Sequence, residues 1–321
     1  MKQTKQQTNF EGGGVQGKTS VFRANIKRNK YAYGMILPAV LLVFVLCYLP
    51  FLGIVIAFKD FDIVKGIWGS PWVGLANFKQ VFTYPNMLRA IWNSFIYGIV
   101  LTFGTFPFPI ILALMFNELR NLRFKKIAQT VSYMPYFLSW ISVIGLFYSF
   151  FATEGTFNSI MTHFYGEGYE ASNILFQSQY FLPIIFISNL WKNIGWSSVI
   201  FLAAIAGIDP TLYEAATVDG CGKFKQVIHI TLPGIKPTVI IVLVMSLGTL
   251  LSTNFEQVYG FQNVYTQETT EVINTLIYRQ GIQDGKYSAS TALGLAQGAV
   301  TVFLLLVSNF FSKKLFEISL W

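Results

Sequence analysis

Charge, cysteine and histidine are all scarce in this sequence. Only 12% of the 321 residues are Asp, Glu, Lys or Arg, about half the roughly 25% usual in soluble domains. A length that would allow two soluble domains therefore reads better as one domain whose solvent is the bilayer. The two cysteines, Cys47 and Cys221, lie in unlike surroundings, an apolar run and a polar loop, so a disulfide is not expected. There is no CxxC and no Cys/His cluster, which argues against a metal site. No acid/base pair or nucleophile constellation stands out, and an enzyme is not expected.

Apolar side chains are abundant, at 53% hydrophobic and 17% aromatic, and they come in long runs. A helix needs about 20 apolar residues to cross the hydrocarbon core. Six segments qualify: Tyr33–Phe58, Ser94–Phe116, Ile127–Phe151, Leu182–Ile208, Thr238–Leu251 with a more polar outer turn, and Ala289–Phe311. Pro38, Pro50, Pro107, Pro109 and Pro135 punctuate them, which membrane helices tolerate. The expected fold is all-α and integral to the membrane, with six transmembrane helices. Residues 1–30 form a flexible basic tail and 31–321 the six-span domain, including a cytoplasmic loop at 209–234. About 30 mostly polar residues precede the first apolar run, so a cleavable signal peptide is not expected.

The net charge is +8. In a soluble protein that would suggest nucleic acid, but here the cations collect in alternate connections. Lys2, Lys5, Lys18, Arg23, Lys27, Arg28 and Lys30 precede the first span. Arg120, Arg123, Lys125 and Lys126 follow the second, Lys223, Lys225 and Lys236 the fourth, and Lys313 and Lys314 the sixth. The connection 152–181 has no Lys or Arg. The first connection is the weak point, with Lys59, Lys65, Lys79 and Arg89. The positive-inside rule then puts both termini in the cytoplasm, as an even number of spans requires. No nucleic-acid partner is expected.

The tail carries Gly12-Gly13-Gly14-Val15-Gln16-Gly17-Lys18-Thr19, which fits GxxxxGK[ST]. A phosphate loop works only between a buried strand and a helix N-terminus, and no apolar strand precedes this one. It reads as flexible tail, and the chain is not expected to hydrolyse ATP.

The informative loop is Asp209 to Pro233. Asp209 can cap a helix beginning at Pro210, which ends at the Gly220/Gly222 pair. A second helical stretch, Phe224 to Leu232, is expected to stop at Pro233-Gly234. Two short amphipathic helices with small residues suit either a docking surface or a loop lying on lipid headgroups.

This segment resembles the EAA loop of binding-protein-dependent ABC importers. Glu214-Ala215-Ala216, Gly220, Ile230, Leu232 and Pro233 fill every fixed position of that pattern. Phe255–Tyr259, Thr270–Ile273, Ile277-Tyr278-Arg279 and Ser319-Leu320-Trp321 look like the polysaccharide branch of carbohydrate permeases. The resemblance covers most of the chain beyond about Lys27. It implies that Glu214 pairs with a base on a separate ATPase, while Ala215, Ala216 and Gly220 let the helix sit closely. Asp219 matches a commonly seen acid and could equally cap the turn. The partners implied are a second homologous permease, two ATPase subunits that bind ATP and Mg, an extracellular sugar-binding protein, membrane lipid, and a sugar or oligosaccharide. The place implied is a prokaryotic plasma membrane, spanned several times. This chain itself would bind no cofactor.

In the fourth span, Asn189, Asn193 and Trp196 fall at i, i+4 and i+7, with Lys192 one turn before Trp196. Ionisable residues at mid-span are functional candidates, and amides with aromatic faces suit sugars. Trp191 and Trp196 could instead pack on other spans, and Lys192 could pair with a partner. Glu256 and Gln257, near the outer end of the fifth span, are further candidates for sugar or for the extracellular protein. A secondary transporter would call for inverted repeats and buried mid-span acids, and neither is visible. A permease of the same architecture for a different solute stays open.

Overall fold

The computed structural model describes residues 28–320, so the Gly12–Thr19 stretch, the rest of the expected tail as far as Lys27 and Trp321 lie outside the described residues. The chain divides into two units, residues 1–55 and 56–321. The first contains α1 (Lys30–Val43), which runs on through a π-helical turn at Phe44–Tyr48 into 3-10 geometry. Pro38 lies inside α1 and has no N–H to donate, a defect apolar surroundings tolerate only in helices otherwise fully bonded.

The second unit is built from helices alone, the one extended feature among the described residues being an isolated bridge between Lys59 and Trp72. In chain order it contains α2 (Ala76–Thr83), α3 (Pro85–Thr105), α4 (Pro107–Glu118), α5 (Leu122–Tyr133), α6 (Trp140–Phe151) and α7 (Thr156–Tyr165). The 29-residue α8 (Ser178–Ala206) is followed by α9 (Pro210–Val218), α10 (Leu232–Gly248), α11 (Phe255–Phe261), α12 (Ile273–Ile277) and α13 (Tyr287–Phe316). The six expected segments fall on four long apolar helices, Lys30–Phe58, Pro85–Glu118, Lys223–Gly248 and Tyr287–Phe316, and on two bent pairs.

Two expectations need correction. The third span is not one rod over Ile127–Phe151. A 3-10 turn at Met134–Phe137 breaks it, and the two arms meet at 98°. Pro135 removes a donor there, and Ser139 restarts the helix by accepting from Ser142 N at 3.2 Å. Nor does the helix after Gly222 stop at Pro233-Gly234. It runs from Lys223 to Gly248, because a π-helical stretch at Val227–Thr231 brings Pro233 to the second position of the following α-helical segment.

Three buried clusters position the rest. One gathers Tyr97, Trp140, Phe147, Phe181, Ile185 and Phe261 around the first half of α8. Another packs Phe201, Ile205, Ala113 and Ile235 around its last turns. A third holds α2, the start of α3, α12 and α13 together through Val81, Ala90, Ile273 and Leu293. Between the two clusters on α8 the packing turns polar. Three of the four cations that dilute the charge pattern in the first connection have local work, Lys65 pairing with Asp62 at 3.8 Å. Lys59 is buried and donates to Ile67 O at 2.8 Å, and Arg89 pairs with Glu268 at 3.2 Å.

Candidate functional site

Midway along α8, a cavity of about 610 Å³ opens between α3/α4, α8 and α10, within the range of about 300–1,000 Å³ typical of ligand sites. Its wall is mostly apolar and carries no charged side chain, and Thr102, Thr105, Asn189, Ser197, Ser246, Thr249, Ser252, Thr253 and Asn254 set polar groups into it. A smaller space of about 250 Å³ continues along the same face past Asn193 and shares Asn189, Ser197 and Thr105.

Local folding explains why hydroxyls face this space. Thr105 donates its proton back to Leu101 O at 2.6 Å, Ser246 to Val242 O at 2.9 Å and Thr249 to Ser246 O at 3.1 Å. Each keeps lone pairs as acceptors. After Gly248 the α10 helix unwinds through residues 249–254 and restarts at α11, where Asn254 accepts from Gln257 N at 2.9 Å. The freed carbonyls are held from behind: Asn274 donates to Thr253 O at 2.7 Å and Gln297 to Leu251 O at 2.9 Å. Thr253 Oγ1 is buried at the cavity wall and has no hydrogen-bond partner among the described residues.

The sequence candidates separate here. Asn189 and Asn193 line the cavities. Gln257 is buried behind the wall, donating to Ile185 O at 2.8 Å and Ser188 Oγ at 2.9 Å and accepting from Asn189 at 3.3 Å. It orients Asn189 rather than facing the space. Glu256 is exposed. Lys192 and Trp196 lie on another face of α8. The Lys192 ammonium donates to Tyr136 O at 2.7 Å and Leu138 O at 2.6 Å, and Trp196 stacks on Tyr136 at 4.7 Å. Asn189, Asn193 and Trp196 therefore do not share one lining face. The hydroxyls at 102/105 and 246/249/252 are lining residues that the sequence expectations do not include. Their signal was a spacing of three within apolar runs.

At the end of α8 the chain bends by 69° into α9. Asp209 caps α9, accepting from Thr211 N at 2.9 Å, and that hydrogen bond holds its carboxyl below the usual carboxylate range. The helix closes as a Schellman motif: Cys221 N donates to Ala216 O at 2.8 Å, Gly220 N to Thr217 O at 3.1 Å, and Gly220 takes φ 74°. Glu214, Ala215, Asp219 and Gly220 are exposed, and Ala216 is half-buried. Around them stand Leu212, Phe224 and Val218, the last 89% exposed. Leu232 and Pro233 lie at the base of the fifth span instead, off this helix. The two parts are tied by Tyr213 Oη to Thr231 Oγ1 at 2.9 Å and by Gln226 Nε2 to Thr217 Oγ1 at 3.0 Å.

Beyond the first half of α8, Arg279 donates twice to Glu271, at 2.9 and 2.8 Å, and once to Gln262 at 2.9 Å, with Tyr259 beneath it at 5.2 Å. Both partners are largely buried, which makes this a joint holding the residues that follow the fifth span.

Residues 105–317 match the family model described as binding-protein-dependent transport system inner membrane component. Protein LplB of Bacillus subtilis (strain 168) is 37% identical over 299 residues, 93% of this chain and 93% of its own. The polygalacturonan/rhamnogalacturonan transport system permease protein YteP of the same organism is 39% identical over 290 residues, 90% of each chain. Among solved structures, one chain of a bacterial ABC transporter involved in the import of the acidic polysaccharide alginate matches with a TM-score of 0.83 at 36% identity. The match covers 92% of this chain and 99% of that one. A crystal structure of the alginate transporter with an alginate pentasaccharide-bound periplasmic protein contains a chain matching with the same TM-score at 35% identity.

Proposed function

The chain belongs to the family of binding-protein-dependent transport system inner membrane components, and from that membership we propose that it is a permease subunit of an ATP-driven importer for a sugar or oligosaccharide. The observation that carries this reading is the double duty of α8. One of its faces supplies Asn189 and Asn193 to adjoining uncharged spaces set with amides and hydroxyls, and one bend beyond its end stands the exposed helix α9 with the EAA residues. A saccharide presents many hydroxyls and no apolar tail. A wall of amides and back-bonded hydroxyls can exchange hydrogen bonds with it without holding it too tightly to leave. The relative YteP is named for polygalacturonan/rhamnogalacturonan transport and the structural neighbours for alginate import, which supports the same solute class.

In this reading a second, homologous permease completes the pathway, forming a heterodimer with this chain. Two ATPase subunits hold ATP and Mg, and an extracellular binding protein delivers the solute. Both chain termini face the cytoplasm, as the alternation of basic connections favours. Glu214 meets a base on the ATPase, and Leu212, Val218 and Phe224 supply apolar contact around it. Closure of the ATPases moves α9, α9 moves α8, and the cavity alternates between the two sides of the membrane.

The test is co-purification with the products of neighbouring transport genes, followed by sugar-stimulated ATP hydrolysis in lipid. Wild type is expected to bring down an ATPase, and Glu214→Ala to lower stimulation at least tenfold or release the ATPase. A wild-type chain that captures no ATPase sinks the importer reading and turns the question to gradient-driven uptake.

A further inference from the structure

Lys192 is the feature this transport reading leaves without a role. It sits midway along α8 and is only 6% exposed. Among the described residues its ammonium makes no ion pair within 4.0 Å. Its partners are backbone carbonyls, Tyr136 O at 2.7 Å, Leu138 O at 2.6 Å and Pro135 O at 3.5 Å, all from the break in the third span. The rings of Tyr136 and Trp140 flank it at 5.4 Å each, and Trp196 covers Tyr136.

The chemistry is reciprocal. A helix broken in apolar surroundings frees carbonyls that need donors, and a buried ammonium brings three N–H groups that need acceptors. A neutral donor such as Gln could not satisfy three carbonyls, and an acid would add a charge of the wrong sign. The contact is reinforced one turn further on. Gly195 meets the backbone of Ser132 so closely that a Cβ there would overlap the Ser132 carbonyl.

From this geometry we infer that Lys192 is a positioning residue that fixes the 98° break of the third span to the fourth span, so that the two move as one body during transport. The inference rests on the importer reading for its context but not on the identity of the solute. Motion entering α8 from α9 then passes at mid-span to α5 and α6, and through α6 to the α11 side of the molecule, where Phe147 packs on Phe261 at 5.6 Å. Lys192 acts through these carbonyls and does not touch the solute.

The experiment uses the assembled complex in lipid, with Lys192→Met as the main variant and Lys192→Arg, which keeps charge and donors, as the second. Spin labels at Thr130 and Ile141, both exposed and on opposite arms of the break, report the joint in a background with Cys47 and Cys221 replaced by Ser. Wild type is expected to give one narrow distance and Lys192→Met a broad one. Uptake turnover should fall at least tenfold, with half-saturation by loaded binding protein within twofold of wild type, and Lys192→Arg should narrow the distance again. A distance that stays narrow in Lys192→Met, or a variant that changes half-saturation or solute preference with turnover intact, overturns the inference. A wild-type complex that hydrolyses ATP yet moves no saccharide sinks only the solute assignment, since the spin-label measurement still decides the joint.

Discussion

The third span is interrupted and the fifth ends in unwound chain at 249–254, and the two stretches solve the same problem in opposite ways. At 134–139 the freed carbonyls are taken up by the Lys192 ammonium and roofed by Tyr136, Trp140 and Trp196. At 249–254 they are taken up from behind by Asn274 and Gln297, which leaves Thr249, Ser252, Thr253 and Asn254 facing the cavity. Backbone unwound inside a membrane must be bonded within the protein or line a wet space. The first break is bonded from its front and becomes a joint. The second is bonded from its back and becomes a wall.

The largest test of this contrast lies at two glycines. Gly195 abuts Ser132 at the third-span break, and Gly98 abuts the Leu250 carbonyl at the fifth. Overpacking costs about 1–3 kcal/mol. Gly195→Ala is expected near the upper end, because a clamped joint cannot yield, and Gly98→Ala nearer the lower, because its neighbour can shift into the cavity. Thermal unfolding of the purified protein in detergent checks this, and the reverse order would break the comparison.

A smaller effect is expected at Thr253, whose hydroxyl is buried without a partner. An intramolecular hydrogen bond contributes about 1 kcal/mol, and here none is lost, so Thr253→Val should unfold within a degree or two of wild type. A clear loss of stability would mean that this wall is packed as the other break is.

The smallest effect concerns the bend between α8 and α9, where an ionised cap does the pairing. The Asp209 carboxyl is held below its ordinary range by the Thr211 amide. Its contribution is therefore present above the ordinary carboxylate pKa and is lost as pH falls through the depressed folded value. A fluorophore on Cys221, with Cys47 replaced by Ser, is expected to report loosening of α9 at acid pH in the wild type. In Asp209→Asn, which keeps the acceptor without the charge, the same probe should be flat. Neither break inside the bundle should show this dependence.

Much of this was legible in the residues. Asp209-Pro210 and the Gly220 turn announced α9 and its ends, because capping and positive φ are decided within a few neighbours. Apolar runs gave the crossing segments for the same kind of reason. The break at Pro135 was harder. A proline in a membrane helix is usually absorbed, and here the carbonyls freed at a 98° bend meet a lysine 57 positions away, which no local pattern announces. The continuation through Pro233 is not legible in sequence, because a π-helical turn leaves no strong mark there. Lys192 and Trp196 were grouped with Asn189 and Asn193 by spacing, and spacing cannot say which neighbour each face of a helix meets.

Composition and contacts a few residues apart were enough to set the solvent, the helical class and the short capped helix α9. Only the tertiary structure decided which polar groups line the cavity and which are consumed in holding it. Both kinds carry the same donors and acceptors, and what separates them is whether a partner from another span arrives within hydrogen-bond reach.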